Sequence, residues 1–138
     1  MSFIGIDYGG RRIGVAVSEW GVIATPHSVL ENAGGGEQAI ARIDVIGRET
    51  AAEIYVVGVA RRARSNSGEE KFQRFADRLR QKTCKEVVLW DERLSTVEAT
   101  ELARAAGRDA RTIRQEIDMY AAAVILQSWL DAHAGRQP

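Results

Sequence analysis

The order of apolar runs and turn signals predicts an α/β fold: a mixed five-stranded sheet, an antiparallel three-strand meander extended by parallel strands, flanked by helices. Three observations carry this. The chain opens with two short strand-like stretches around a double-glycine turn. Two later segments, Ile54-Tyr55-Val56-Val57 and Val87-Val88-Leu89-Trp90, are continuous apolar runs of the kind covered on both faces of a sheet. Between and after them, apolar residues recur at helical spacing.

Phe3-Ile4-Gly5-Ile6 is the first expected strand, and the alternation of Ile13, Val15 and Val17 marks the second. Tyr8-Gly9-Gly10-Arg11 lies between them as a hairpin turn, with glycine expected to supply a positive φ. Val22 to Leu30 supplies a third strand and closes the meander. Gly34-Gly35-Gly36 interrupts the chain before a helix over Glu37–Ala52, and the run Ile54–Val57 follows as the fourth strand. Ser67-Gly68-Glu69-Glu70 has the spacing of a capping box, and Phe72, Phe75, Ala76 and Leu79 behind it form one buried helical stripe. After the fifth strand, Val87–Trp90, Ser95-Thr96-Val97-Glu98 repeats the capping pattern and opens a short helix that Gly107 can end. A last helix runs from Thr112 to Ala134 with Ile113, Ile117, Ala121 and Val124 on one side. The order is β-β-β-α-β-α-β-α-α.

A length of 138 residues suits one domain spanning 1–138, and 45% hydrophobic with 28% charged residues is an ordinary globular composition. Pro26 and Pro138 are the two prolines, so no linker is marked. No run approaches the ~18 apolar residues of a membrane span. Neither is there a secretory leader pattern. A single cysteine, Cys84, excludes an internal disulfide and a cysteine-built metal site. The expectation is a cytoplasmic protein without membrane contact. Nineteen basic and nineteen acidic residues cancel, which argues against a non-specific nucleic-acid coat but permits a local phosphate-binding surface.

The acidic residues carry the functional signal. Asp7 follows the first apolar strand directly, and Asp91 and Glu92 follow the fifth in the same way. Asp118 lies on the last helix beside Ala121-Ala122-Ala123, small residues that let this helix approach the sheet. Singly, each acid has an ordinary reading as a turn, cap or solvated residue. On this topology they converge, and converging carboxylates repel unless protonated or bridged by cations such as Mg²⁺ or Mn²⁺. Two such ions suit phosphodiester hydrolysis.

Phe3–Ser18, reading FIGIDYGGRRIGVAVS, resembles the opening motif of the YqgF family, also called RuvX. Asp91-Glu92-Arg93-Leu94-Ser95-Thr96 is similar to its Asp-Glu-Arg-Leu-Thr-Thr signature, and Asp118-Met119-Tyr120-Ala121-Ala122-Ala123 with Ile125-Leu126-Gln127 is similar to its C-terminal motif. The match covers nearly the whole chain, with three motifs in order. The resemblance implies a ribonuclease-H-like fold shared with Holliday-junction resolvases. It also implies a nuclease assigned to maturation of the 5′ end of 16S ribosomal RNA, with a proposed role on branched DNA.

Carried over position by position, the resemblance makes Asp7, Glu92 and Asp118 the metal ligands, with Asp91 kept as a further catalytic candidate. The expected cofactor is Mg²⁺ or Mn²⁺, as two ions. Arg93 beside the acids is a candidate for holding a scissile or flanking phosphate or pairs with a nearby carboxylate, and Arg11 and Arg12 in the first turn are candidates for contacting the nucleic-acid backbone or are merely solvated. One departure stands out. Where the family has Gly-Leu-Pro and a loop containing Asp-Gly, this chain reads Gly58-Val59-Ala60-Arg61-Arg62-Ala63-Arg64-Ser65-Asn66-Ser67-Gly68. The proline and aspartate are gone and Arg61, Arg62 and Arg64 have entered, either as a phosphate-gripping loop or as an exposed polar one. Ser18-Glu19 replaces the family's Ser-Asp.

The expected partner is precursor ribosomal RNA, with branched DNA as the alternative and a monomer or a homodimer as the acting form; a resolvase would need the dimer. A binding protein with vestigial acids and an actin-like ATPase are competing readings, the latter disfavoured because such proteins enclose ATP between two such domains. His27 and His133 show no metal spacing, Cys84 reads as a small buried residue, and Gly34–Gly36 lacks the Lys-Ser/Thr of a P-loop. Trp20, Trp90 and Trp129 read as packing residues before they read as base-stacking surfaces.

Overall fold

The structure is a computed structural model that describes residues 1–60, 66–92 and 96–133, with the backbone alone at 60, 66–69, 92 and 96. Three strands open the chain: β1 (Ser2–Tyr8), β2 (Arg12–Ser18) and β3 (Thr25–Glu31). Helix α1 (Glu37–Thr50), strand β4 (Ala52–Ala60), helix α2 (Asn66–Thr83) and strand β5 (Glu86–Glu92) follow. Helices α3 (Thr96–Ala105) and α4 (Ala110–Ala132) complete it. The sheet order is β3-β2-β1-β4-β5. The first three strands pair antiparallel, and β1–β4 and β4–β5 pair parallel. This is the expected mixed sheet, with β1 at its centre.

Alternation along each strand sends side chains to two cores. Ile4, Ile6, Ile13, Val15, Tyr55 and Val57 pack against Ile40, Ile43 and Ile46 of α1 and Phe75, Ala76 and Leu79 of α2. Phe3, Ala16 and Val56 face the other way, onto Ala122, Ile125, Leu126 and Trp129 of α4. Helix α3 rests on α4 through Ala99 and Ala103 against Ile113, Tyr120 and Ala121. The phenylalanine stripe read from the sequence is therefore the buried face of α2.

Several local expectations change. The third strand starts at Thr25 rather than Val22, because Gln127 of α4 holds the preceding segment: its Nε2 donates to Val22 O at 2.9 Å and its Oε1 accepts from Ala24 N at 2.9 Å. Pro26 then sits on an edge strand beside a bulge between Val15 and Ala16, where a missing N–H is tolerated. Helix α1 stops at Thr50, since Ala51 turns left-handed at φ 55° and Ala52 enters β4. Cys84 is exposed, not buried; it takes φ 57° at the end of α2, where its N–H caps Arg80 O at 2.8 Å. The Ser67–Glu70 capping pattern falls on residues described by backbone only, and the described partner of Glu70 is Arg74, at 3.3 Å. Ser95 lies outside the described residues.

Gly107 ends α3 as expected, with φ 82°, its N–H on Arg104 O and the Arg108 N–H on Ala103 O, the paired bonds of a Schellman end. Helix α4 starts two residues earlier than the sequence pattern places it because Asp109 caps it, accepting from Thr112 N at 2.8 Å. That bond holds the Asp109 carboxyl below the usual carboxylate range. A folded-state pKa below the unfolded one contributes stability above the unfolded value, near 4, that is lost as pH falls. Asp109→Ala is expected to lower the urea midpoint at pH 7 with an unchanged m value. The difference from the parent should shrink below about pH 4. An acid-insensitive difference would show that the charged cap is not its source.

Candidate active site

Asp7 stands near the end of the central strand with a glycine on either side. In register it faces Gly14 of β2 and Gly58 of β4. Those glycines admit α4. A Cβ built on Gly14 would lie 1.8 Å from Asp118 O, and one on Gly58 would lie 2.4 Å from the Ile125 side chain. Two residues back along β1, a Cβ on Gly5 would meet Leu126 Cβ at 2.5 Å. The helix therefore touches sheet backbone. Small residues on α4 were visible in the sequence, but half of the close fit comes from glycines on the strands.

This approach carries Asp118 to Asp7. Asp7 is partly buried, and burial first, with the Asp118 charge second, pushes its pKa from 3.8 to about 6. Asp118 Oδ2 lies 3.0 Å from Arg12 Nε, with side-chain exposures of 22% and 50%. The pair is close by distance yet lacks hydrogen-bond geometry, so the buried Oδ2 keeps its acceptor capacity unused. The site is thus two carboxylates near enough for the Asp118 charge to act on Asp7, with one guanidinium beside Asp118.

The remaining candidates divide. Asp91 and Glu92 are on β5, which is an edge strand and not a central one, with β4 between it and β1. Two strand spacings place β5 roughly 10 Å from β1. Register pairs Gly58 with Trp90, Val59 with Asp91 and Ala60 with Glu92. Position 92 therefore has the parity of Trp90, which packs with the α4 core, whereas Asp91 has the parity of Leu89, which packs with the α1–α2 core. Asp91 is exposed. Among the described residues no group of three or more His, Cys, Asp or Glu forms a metal cluster; the Glu92 side chain is outside that description. Arg11 is exposed. Arg12, expected on nucleic acid or in solvent, is paired with Asp118 instead. Arg61, Arg62, Arg64 and Arg93 lie outside the described residues.

The first turn differs from its expected form. Gly9 and Gly10 are not at positive φ. Gly9 is needed for space: its N–H donates to Arg12 O at 3.1 Å, and an added Cβ would stand 2.6 Å from that oxygen. Asn32 braces the turn, its Nδ2 donating to Gly9 O at 2.7 Å and its N–H to Arg11 O at 2.8 Å. The sequence gives Asn32 no role and Gln127 none beyond its place in the C-terminal motif, because both act through backbone atoms distant in the chain. The signal that was available is the glycine pattern, Gly5-x-Asp7 on one strand and Gly14 on the next, which marks a surface meant for close packing.

Other side chains have ordinary partners. Trp90 Nε1 donates to Ser128 Oγ at 3.1 Å, and Trp129 packs on Phe3. His133 stacks on Trp129 at 4.2 Å and its Nδ1 is 2.7 Å from Trp129 O. His27 is exposed beside Ser28. Trp20 is 79% exposed. No helix among the described residues is long and apolar enough to cross a membrane.

Sheet order and helix placement define the ribonuclease-H-like class. Solved structures of that fold superpose over nearly the whole chain: the fowlpox virus resolvase with Holliday junction DNA (TM-score 0.64, 8% identity, 97% of this chain and 99% of that one) and T. thermophilus RuvC with a Holliday junction substrate (TM-score 0.58, 16% identity, 98% and 96%). The model of the RuvX family, described as Holliday junction resolvase, matches residues 1–132, and the chain belongs to this family. Relatives include proteins named "Putative pre-16S rRNA nuclease" from Chloroflexus aurantiacus (39% identical, covering 94% of this chain and 86% of the relative), Symbiobacterium thermophilum (39%, 97% and 94%) and Nocardia farcinica (42%, 93% and 76%).

Proposed function

We propose that this protein is a divalent-metal-dependent endonuclease that hydrolyses phosphodiester bonds in structured nucleic acid, with the 5′ region of precursor 16S ribosomal RNA as its substrate. The observation that carries the chemistry is the backbone contact of α4 at Gly14, which brings Asp118 within electrostatic reach of Asp7. A partly buried carboxylate whose pKa is raised by burial and by a second carboxylate, next to an oxygen with unused acceptor capacity, is a donor set suited to a hard cation. The substrate rests on the relatives above, whose name specifies pre-16S rRNA.

Asp7 and Asp118 would hold Mg²⁺ or Mn²⁺. Glu92 completes the set in preference to Asp91, because its register parity is that of the α4 side. Bound there, one or two such ions would activate water and stabilise the leaving oxygen. The protein's own contribution is placement. Paired strands hold Asp7 on both sides, and the backbone contact at Gly14 leaves α4 little room to slide. Arg11 is available to the sugar-phosphate backbone, and Arg61, Arg62, Arg64 and Arg93 are kept as further candidates for holding it. Acting form, monomer or homodimer, follows from the substrate.

Cleavage of a precursor 16S 5′ fragment and of a four-way DNA junction, each with Mg²⁺, Mn²⁺ or EDTA, tests the proposal. Metal-dependent, RNA-selective cutting that Asp7→Asn abolishes is the expected result. Junction cutting with RNA intact would instead favour the second reading, a resolvase, which the family description and the resolvase folds support. RNA binding in EDTA without turnover under any condition would make this a binding protein.

A further inference from the structure

We propose that Arg12 is a built-in counter-cation that competes with the divalent ion for Asp118 and thereby sets how tightly the metal loads; the inference rests on the metal reading above. Its basis is geometric. Arg12 leads β2 two residues before Gly14, the point where α4 touches the sheet. Its Nε approaches Asp118 Oδ2 to 3.0 Å, the same oxygen that has no hydrogen-bond partner. A guanidinium meant as a permanent structural partner is expected to engage a carboxylate in a hydrogen-bonded, preferably bidentate, fork. This one makes a single off-axis contact, with half of its side chain exposed. That is how a displaceable charge is held.

An alternative position for it exists. In the β2–β3 register Arg12 lies directly opposite Glu31, an exposed residue at the end of β3. Opposed cross-strand pairs stand close enough for an opposite-charge contact. Arg12 can therefore exchange Asp118 for Glu31 while remaining on its strand. In the metal-free protein it offsets part of the repulsion between Asp118 and Asp7; in the loaded protein the divalent ion takes that task, and the guanidinium faces solvent and substrate.

Titration calorimetry of the metal-free protein with Mn²⁺ alone, without nucleic acid, tests this. Removing a partly exposed competing ion pair is worth a modest gain, so Arg12→Gln is expected to bind Mn²⁺ about 3–10-fold more tightly than the parent. Arg12→Lys, which keeps the charge but loses the Nε contact, should fall between them. In EDTA, Arg12→Gln should melt below the parent, and saturating Mn²⁺ should raise its melting temperature by more. Equal or weaker Mn²⁺ binding by both variants, with parental binding abolished by Asp118→Asn, would overturn the role of Arg12 and leave the metal site standing. Absence of Asp118-dependent Mn²⁺ binding in every variant would overturn the metal reading, and this inference with it.

Discussion

Asp7→Asn is expected to abolish metal-dependent cleavage and, in EDTA at pH 7, to raise the melting temperature. Both effects have one cause. In the folded protein Asp7 is desolvated and faces Asp118, which lifts its pKa from 3.8 to about 6. The folded state therefore holds the proton more tightly than the unfolded chain. Below about pH 4 the carboxyl is protonated in both states and carries no penalty. As pH rises from 4 to 6 the unfolded chain releases the proton first, and folding stability falls; above 6 the whole penalty is present. Holding the ionised Asp7 carboxylate in the folded state therefore costs roughly 3 kcal/mol. The asparagine variant escapes this because it has no charge to desolvate, although it must still bury an amide. A net gain of about 1–2 kcal/mol remains, a few degrees in melting temperature for a chain of this size. Thermal unfolding of both proteins in EDTA from pH 4 to 7.5 should show the parent the more stable at the acid end, with the order reversing through pH 4–6. Mn²⁺ should then stabilise the parent alone. A variant no more stable than the parent at pH 7 would show that Asp7 is not held under electrostatic stress.

Gly14→Ala should be among the most damaging single-methyl additions in the molecule. The new Cβ would lie 1.8 Å from Asp118 O and 2.8 Å from Met119 N, atoms of the α4 backbone with no rotamer to change. Relief requires the helix to lift from the sheet, which also loosens Ala122, Leu126 and Trp129 from Phe3 and Ala16. Overpacking of this kind costs about 3 kcal/mol, a fall of roughly 10 °C in melting temperature. It should also weaken Mn²⁺ binding in the protein that remains folded, because the residue pushed away is Asp118. Asp109→Ala is the matched control: it weakens the start of the same helix without touching the contact at Gly14, so metal affinity should be retained. Equal metal affinity in Gly14→Ala and the parent would mean that Asp118 is not placed by this contact.

The fold was largely legible in the chain because its signals are local. Continuous apolar runs, a helical phenylalanine stripe and Gly107 each act within a few residues, and the structure contains the elements they mark. Two of the differences arose where a distant group intervened, and a third from a local backbone turn. Gln127, more than a hundred residues away, holds Val22–Ala24 out of the third strand. Asn32 braces the first turn so that Gly9 serves for space and not for a positive φ. Cys84 looked buried beside an apolar strand, but a left-handed residue ends α2 there and leaves it exposed.

By itself, the sequence determined the residue types of the candidate site and the strands and helix that carry them: Asp7 after an apolar strand, Asp91-Glu92 after another, Asp118 beside three alanines. Only the tertiary structure decided how these stand to one another. Glycine rows bring Asp118 down onto Asp7, Arg12 is drawn to Asp118, and sheet register gives Glu92 and Asp91 opposite parity, with their strand at the edge. The reason is that charge acts through space: a carboxylate's pKa and its partners depend on neighbours several ångströms away, which packing brings together from separate parts of the chain.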